Sequence, residues 1–186
     1  MLPEVLEISD LRDHIVLLSI SDYEYLCKHE PEKYENTELY RGFVIEKMTK
    51  SSKHNYYKNI LTEEIRKLTP KEFFVQNENS ILLNDSDLEP DISIIYGKQK
   101  DYKNSKPRTA KLVVEISFSS LSYDRSKSQI YAKAMIPEFW ILDIESEVLE
   151  VYSNPTPEGF QNKSILDKSN VVSIFGKTIQ LAEIFA

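Results

Sequence analysis

The chain has 186 residues, 41% of them hydrophobic, 11% aromatic and 28% charged, with 4 glycines and 8 prolines, a composition that gives one folded domain and excludes disordered and fibrous classes. Cys27 is the only cysteine, which excludes an intrachain disulfide or a cysteine zinc site; the opening Met1-Leu-Pro-Glu-Val lacks a leader's basic and apolar stretches, and no window reaches the roughly 18 apolar residues that cross a bilayer, so a cytoplasmic protein without membrane attachment is expected. A net charge of −7 argues against a general nucleic-acid binder, yet nine basic residues face three acidic ones between positions 98 and 133, equally the footprint of a polyanion-binding face or of a solvated basic loop.

In chain order, Ser21 with Glu24 three residues later fits a capping box opening a short helix through Tyr25 and Leu26. The stretch Glu38-Leu-Tyr-Arg-Gly-Phe-Val-Ile-Glu-Lys-Met48 alternates about Gly42, where a residue without Cβ takes positive φ, and predicts a hairpin. Over residues 52–68 the positions Tyr57, Ile60, Leu61, Ile65 and Leu68 recur at three- and four-residue spacing until Pro70 stops the run, the pattern of an amphipathic helix. Extended pieces follow at 73–76 and 80–83, then a polar turn at 84–87. Apolar runs at 92–96 and 111–116 predict buried strands. Residues 124–134 have helical character, with Ile130 and Ala134 on one face, and Pro137 precedes a strand at 138–143 and its hairpin partner at 148–152. Turn signals then separate short apolar segments, read as an edge strand and a terminal helix. This order predicts an α/β (α+β) fold, a mixed central sheet flanked by helices, in a single domain over 1–186.

Two carboxylates interrupt neighbouring apolar runs: Asp91 opens Asp-Ile-Ser-Ile-Ile-Tyr96, and Glu115 stands near the end of Leu-Val-Val-Glu-Ile116. An ionised group in a buried strand is costly unless paired or on a metal. Adjacent strands bring both within reach of one hard cation, and oxygen ligands suit Mg²⁺ or Mn²⁺. The purely structural alternative is that Asp91 caps a turn after Pro90 and Glu115 pairs with a lysine or arginine. Glycoside hydrolysis also needs two carboxylates, but the one tryptophan, Trp140, lies in an apolar strand and offers no sugar platform.

An ordered series of motifs carries a resemblance. Glu89-Pro-Asp-Ile-Ser-Ile-Ile-Tyr96, Lys111-Leu-Val-Val-Glu-Ile-Ser117, Ser119-Ser-Leu-Ser-Tyr-Asp-Arg125 and Ile130-Tyr-Ala-Lys-Ala-Met-Ile-Pro-Glu-Phe-Trp-Ile-Leu-Asp143, preceded by the 38–48 stretch and His54, resemble the bacterial restriction endonucleases of the Uma-two family. The likeness spans about 19–152, with 153–186 as C-terminal strands and a short helix. It implies a PD-(D/E)XK, restriction-endonuclease-like core in which Asp91, Glu115 and the Ile116 carbonyl ligate Mg²⁺ or Mn²⁺. The signature lysine two residues after the glutamate is replaced here by Ser117; the family places a lysine on the following helix, and Lys127 keeps its four-residue spacing to Tyr131. Two departures stand out. Only Ser126 separates Arg125 from Lys127 where the family has two residues, and Met135 stands where the family commonly has glycine.

The resemblance thus implies a metal-dependent DNA endonuclease with Asp91, Glu115 and Lys127 as catalytic residues. A homodimer is expected, since two sites related by a twofold axis cut two antiparallel strands most simply. Arg125 and Lys133 flank the lysine as candidate phosphate contacts, and His54, Glu46 and Glu64 are weaker candidates for the site. Tyr131 and Trp140 read as core and Asp124 as a helix cap; His14, His29 and Cys27 receive no function. Two other readings stay open: a nuclease-fold nucleic-acid-binding or regulatory protein with weak catalysis, and a metal-dependent phosphohydrolase acting on a small substrate.

Overall fold

The computed structural model describes residue 10 and residues 14–186, so the reading of the opening five residues lies outside the described residues. Helices α1 (Ile20–His29) and α2 (Pro31–Tyr34) lead into a hairpin of β1 (Thr37–Tyr40) and β2 (Phe43–Glu46). The hairpin turns on Arg41 and Gly42, with φ of 50° and 81°, the doubly left-handed turn whose twist matches the strands it joins. A Cβ on Gly42 would lie 2.6 Å from the Leu17 Cβ, so only glycine fits. Helix α3 (Ser52–Leu68) follows, capped by the Ser51 hydroxyl, which accepts the His54 amide. Strands β3 (Phe73–Asn77), β4 (Ile81–Leu83), β5 (Ser86–Leu88), β6 (Ile92–Tyr96) and β7 (Leu112–Ser117) come next, with one 3₁₀ turn (Gln99–Tyr102) between the last two. Helix α4 (Leu121–Lys133), β8 (Glu138–Asp143), β9 (Val148–Thr156), β10 (Gly159–Asp167), β11 (Val171–Ile174), β12 (Lys177–Gln180) and α5 (Leu181–Ile184) complete the chain.

The central sheet has the order β10-β9-β8-β7-β6-β3 and is antiparallel except for β7 and β8. A parallel pair needs a crossover, and α4 supplies it. Side chains alternate across the pleat, so the sheet feeds two apolar clusters. Leu112, Val114, Ile116 and Trp140 meet Tyr57, Leu61 and Ile65 of α3 and the terminal hairpin on one face. Val113, Phe139 and Ile141 meet Ile130 and Tyr131 of α4 on the other. A second sheet, β2-β1-β5-β4, packs Ile81, Leu83 and Leu88 into the α4 cluster.

Several boundaries differ from the sequence reading for local reasons. The first helix is capped by Ser19, whose hydroxyl accepts the Asp22 amide while the Asp22 carboxylate reaches back to the Ser19 amide; the Ser21 and Glu24 pattern sits inside that helix. The polar stretch 84–87 is half strand, because β5 folds back on β4, pairing Ser86 with Leu83 and Asp87 with Leu82, and also meets Leu39 of β1 at Asp87. Helix α4 begins at Leu121, so Asp124 lies in its first turn and is not its N-cap. Strand β10 carries almost no apolar signal, since its residues are mostly exposed and backbone pairing with β9 holds it.

Candidate functional site

Strands β6 and β7 pair antiparallel as far as Ile92 with Val114, which puts Asp91 and Glu115 one step beyond the last paired rung. Both carboxylates border an open pocket, together with Glu38 of β1, His54 of α3, and Asp124 and Lys127 of α4; the irregular segment 47–51 forms the opposite wall.

Asp91 is 4% exposed. Its Oδ2 accepts the Ile116 amide at 2.8 Å and faces His54 Nε2 at 3.1 Å, while Oδ1 accepts from the Lys50 ammonium at 2.8 Å. Burial alone raises its pKa; the His54 and Lys50 partners outweigh that and hold it down to about 2. Glu115 behaves oppositely. Burial pushes it up to about 8, and Asp91, Asp124 and Glu38 add to the rise against the pull of Lys127. Its Oε1 accepts from Lys127 Nζ at 3.1 Å and from the Tyr131 hydroxyl at 3.0 Å.

Lys127 Nζ lies 3.1 Å from Glu38 Oε1 as well as from Glu115, and 4.7 Å from the centre of the Tyr123 ring. Burial works against its charge, but Glu115 and Glu38 raise its pKa well above the ordinary lysine value. The ammonium is therefore a fixed positive charge and not a proton acceptor. Glu38 is tied down in turn: its Oε1 accepts from the Tyr123 hydroxyl at 2.5 Å and its Oε2 from the Glu89 amide at 3.2 Å. Asp124 accepts from Ser120 Oγ at 2.5 Å, and burial raises its pKa.

Asp91, Glu115, Lys127, Ile116 and His54 therefore converge on one pocket. Arg125, Lys133, Glu46 and Glu64 do not line it. Arg125 gives its guanidinium to Glu150, Glu64 pairs with Lys67, and Lys133 is exposed near Arg41 and Gln129. The ion pair of the structural alternative is present too, because Glu115 does meet a lysine. Tyr131 and Trp140 are fully buried, as expected of core, though the Tyr131 hydroxyl also touches the site. Sequence reasoning missed Glu38 and Lys50. Glu38 carried the same signal as Asp91, a carboxylate at the start of an apolar strand; Lys50, in a loop, carried none.

A family model, Uma2, described as "Putative restriction endonuclease", matches residues 20–182. No curated protein matches the chain. Among solved structures, a crystal structure of a "putative nuclease belonging to DUF820" from Anabaena variabilis superposes with a TM-score of 0.68 at 17% identity, over 80% of this chain and 89% of that one. At that identity the likeness is one of fold: a mixed sheet with flanking helices.

Proposed function

The chain belongs to the Uma2 family of nuclease-like proteins, and from that premise we propose that it is a metal-dependent DNA endonuclease that hydrolyses phosphodiester bonds at the pocket of Asp91, Glu115 and Lys127. The observation that carries this reading is the convergence of two strand carboxylates and a permanently charged helix lysine on one open pocket.

The donor set suits a hard divalent cation, Mg²⁺ or Mn²⁺. Among the described residues no three His, Cys, Asp or Glu side chains form a ligand cluster. The protein would contribute the Asp91 and Glu115 carboxylates and one backbone oxygen. Ile116 is the source of the latter: the N–H and C=O of one strand residue point the same way, and the Ile116 N–H points at Asp91 beyond the last rung of β6. The crowding that raises Glu115 is also what a cation relieves. Such an ion, when bound, polarises a phosphate oxygen and acidifies a water.

The chain's own residues do the rest. Lys127, fixed between Glu38 and Glu115, stabilises negative charge developing on the phosphoryl oxygens without first losing a proton. His54 and the Ile116 amide orient the Asp91 carboxylate. Glu38 and Tyr123 hold the lysine in place.

DNA as substrate is supported by the connection from β6 to β7. Residues 97–111 carry six basic side chains against one acidic, and Lys98, Lys100, Lys103, Lys106 and Arg108 are exposed. Of these, Lys103 and Lys106 line a groove of about 390 Å³ together with Phe74, Tyr102 and Glu78, and the groove shares Glu89 with the pocket. In this reading a strand entering the pocket runs past Glu89 into the groove, with phosphates on lysines and a base against the rings. Cleavage of both strands is assigned to a homodimer.

A second reading, a nuclease-fold nucleic-acid binder without cleavage, is favoured by one observation: both Asp91 and Glu115 are engaged by ammonium groups. One experiment separates the two, cleavage of supercoiled and linear DNA with Mg²⁺, Mn²⁺ and EDTA by the wild type and by Glu115→Gln. Metal-dependent cutting that disappears in the variant is the expected result. DNA binding without cutting by the wild type supports the second reading. Hydrolysis of a small phosphodiester at a rate indifferent to salt, with DNA untouched, moves the substrate to a small molecule.

A further inference from the structure

The segment 47–51 between β2 and α3 has no regular structure, yet two of its lysines reach across the pocket. Lys47 pairs with Glu89 at 3.0 Å. Lys50 does more: its ammonium lies 2.8 Å from Asp91 Oδ1 and 2.8 Å from Glu78 Oε1. Its side chain is 29% exposed, whereas the Asp91 side chain is 6% exposed. A cation tethered at the pocket's rim thus neutralises one buried carboxylate of the proposed metal-binding pair.

Glu78 has an unusual setting. It is a non-glycine residue at φ 52° at the end of β3, and its amide points at the Pro90 and Asp91 carbonyls. Its carboxylate is shared, because Lys58 Nζ of α3 also lies 2.5 Å from Oε1. Lys58 is buried and sits on the same oxygen, so Glu78 has a second cation besides Lys50. Lys50 therefore has two acceptors of different kinds, Asp91 inside the pocket and a fixed Glu78 beside it. One can be given up while the other is kept.

We propose that Lys50 is the chain's built-in counter-ion, competing with a divalent cation for Asp91, and that once displaced it stays on Glu78 and turns to the phosphate of the bound strand. This rests on the metal-dependent reading above. Oδ1 of Asp91 cannot hold a bare divalent ion and an ammonium at hydrogen-bond distance without direct repulsion between the two cations. The displaced ammonium, held by Glu78 alone, then has donors free for a phosphate, whereas Lys47 remains with Glu89 and Lys127 remains between Glu38 and Glu115. Metal binding and substrate binding are coupled through one side chain, and by linkage each strengthens the other.

The test is Mn²⁺ titration followed by electron paramagnetic resonance, without DNA, on the wild type, Lys50→Gln, Lys47→Gln and Asp91→Asn. Lys47→Gln makes the same charge change on the same segment without touching Asp91. Lys50→Gln is expected to bind Mn²⁺ about tenfold more tightly than the wild type, the worth of one charge-assisted hydrogen bond, while Lys47→Gln shifts affinity by less than about twofold. Equal shifts in the two variants, or none in Lys50→Gln, overturn the competition while leaving the metal site standing. Mn²⁺ binding by Asp91→Asn as tight as that of the wild type, or no binding by any of the proteins, overturns the metal reading and this inference with it. The second half is read from DNA affinity. Mn²⁺ should strengthen binding of an uncleavable phosphorothioate duplex more in the wild type than in Lys50→Gln, and an equal gain in both removes the phosphate interaction.

Discussion

Glu150 shows how a carboxylate is held when no ligand is expected of it. Two nitrogens of the Arg125 guanidinium, the Tyr152 hydroxyl at 2.7 Å and Lys163 at 3.0 Å all meet it in a setting 1% exposed. Burial would raise its pKa, and the Arg125, Tyr152 and Lys163 donors outweigh that and hold it down to about 2. A depressed acid stabilises the fold above its ordinary pKa of 4.5, and the contribution fades as the pH falls from there toward about 2. Glu150→Gln should therefore lose about 3 kcal/mol at pH 7 in urea unfolding, and the gap to the wild type should narrow below pH 4.5 and close only near pH 2; a gap independent of pH would count against this account. At the pocket, Asp91→Asn and Glu115→Gln should each lower metal-dependent cleavage about 100-fold or more, with circular dichroism unchanged. That Asp91, Glu115 and Lys127 come together was legible because a charge inside an apolar strand, or one matching a family spacing, stands out from its neighbours. Whether a charge is already spent was not legible: Arg125 and Lys133 look alike in the sequence, and only the packing of β9 against α4 shows that one of them belongs to Glu150.

Elements were read best where their apolar period was strong. Helix α3 falls where its spacing put it, because it presents one face to the core, and strand β8 falls where its unbroken apolar run put it, because it is buried on both faces of the sheet. The misses lie where backbone pairing decides and apolar content does not, as at β5, held between β4 and the distant β1, and in the length of β10, a largely exposed edge strand held by its hairpin with β9. The turn after α4 gives a test at this scale. Met135 sits at φ 58° and is 54% exposed, a left-handed conformation that costs a residue with a Cβ roughly 1–2 kcal/mol and costs glycine little. Met135→Gly should raise stability by about 0.5–1 kcal/mol after glycine's larger unfolded-state entropy is subtracted, read as a higher midpoint in thermal unfolding. Ser51→Ala should cost about 1 kcal/mol through removal of the cap.

The whole molecule is acidic, but the connection from β6 to β7 carries a dense run of exposed basic side chains, Lys98, Lys100, Lys103, Lys106 and Arg108. If DNA lies there, replacing Lys98, Lys103 and Arg108 together by Gln should weaken binding and flatten its dependence on log salt by about 0.9 for each phosphate no longer neutralised, with Mn²⁺ affinity in the absence of DNA little changed. An unaltered salt slope would send the DNA elsewhere. Light scattering at working concentration decides the homodimer, whose expected mass is twice 21.7 kDa. The pocket's own construction has a consequence in time. Its walls come from both sheets and from positions as far apart as 38 and 127, and chains are made from the amino end at roughly 5–20 residues per second. While the chain is still on the ribosome, Glu38 and Asp91 emerge seconds before the lysine that joins the two halves. If the pocket cleaves DNA as proposed, an unfinished copy has no complete site until position 127 is out, about two thirds of the way along the 186 residues, and is harmless to the nucleic acid around it until then.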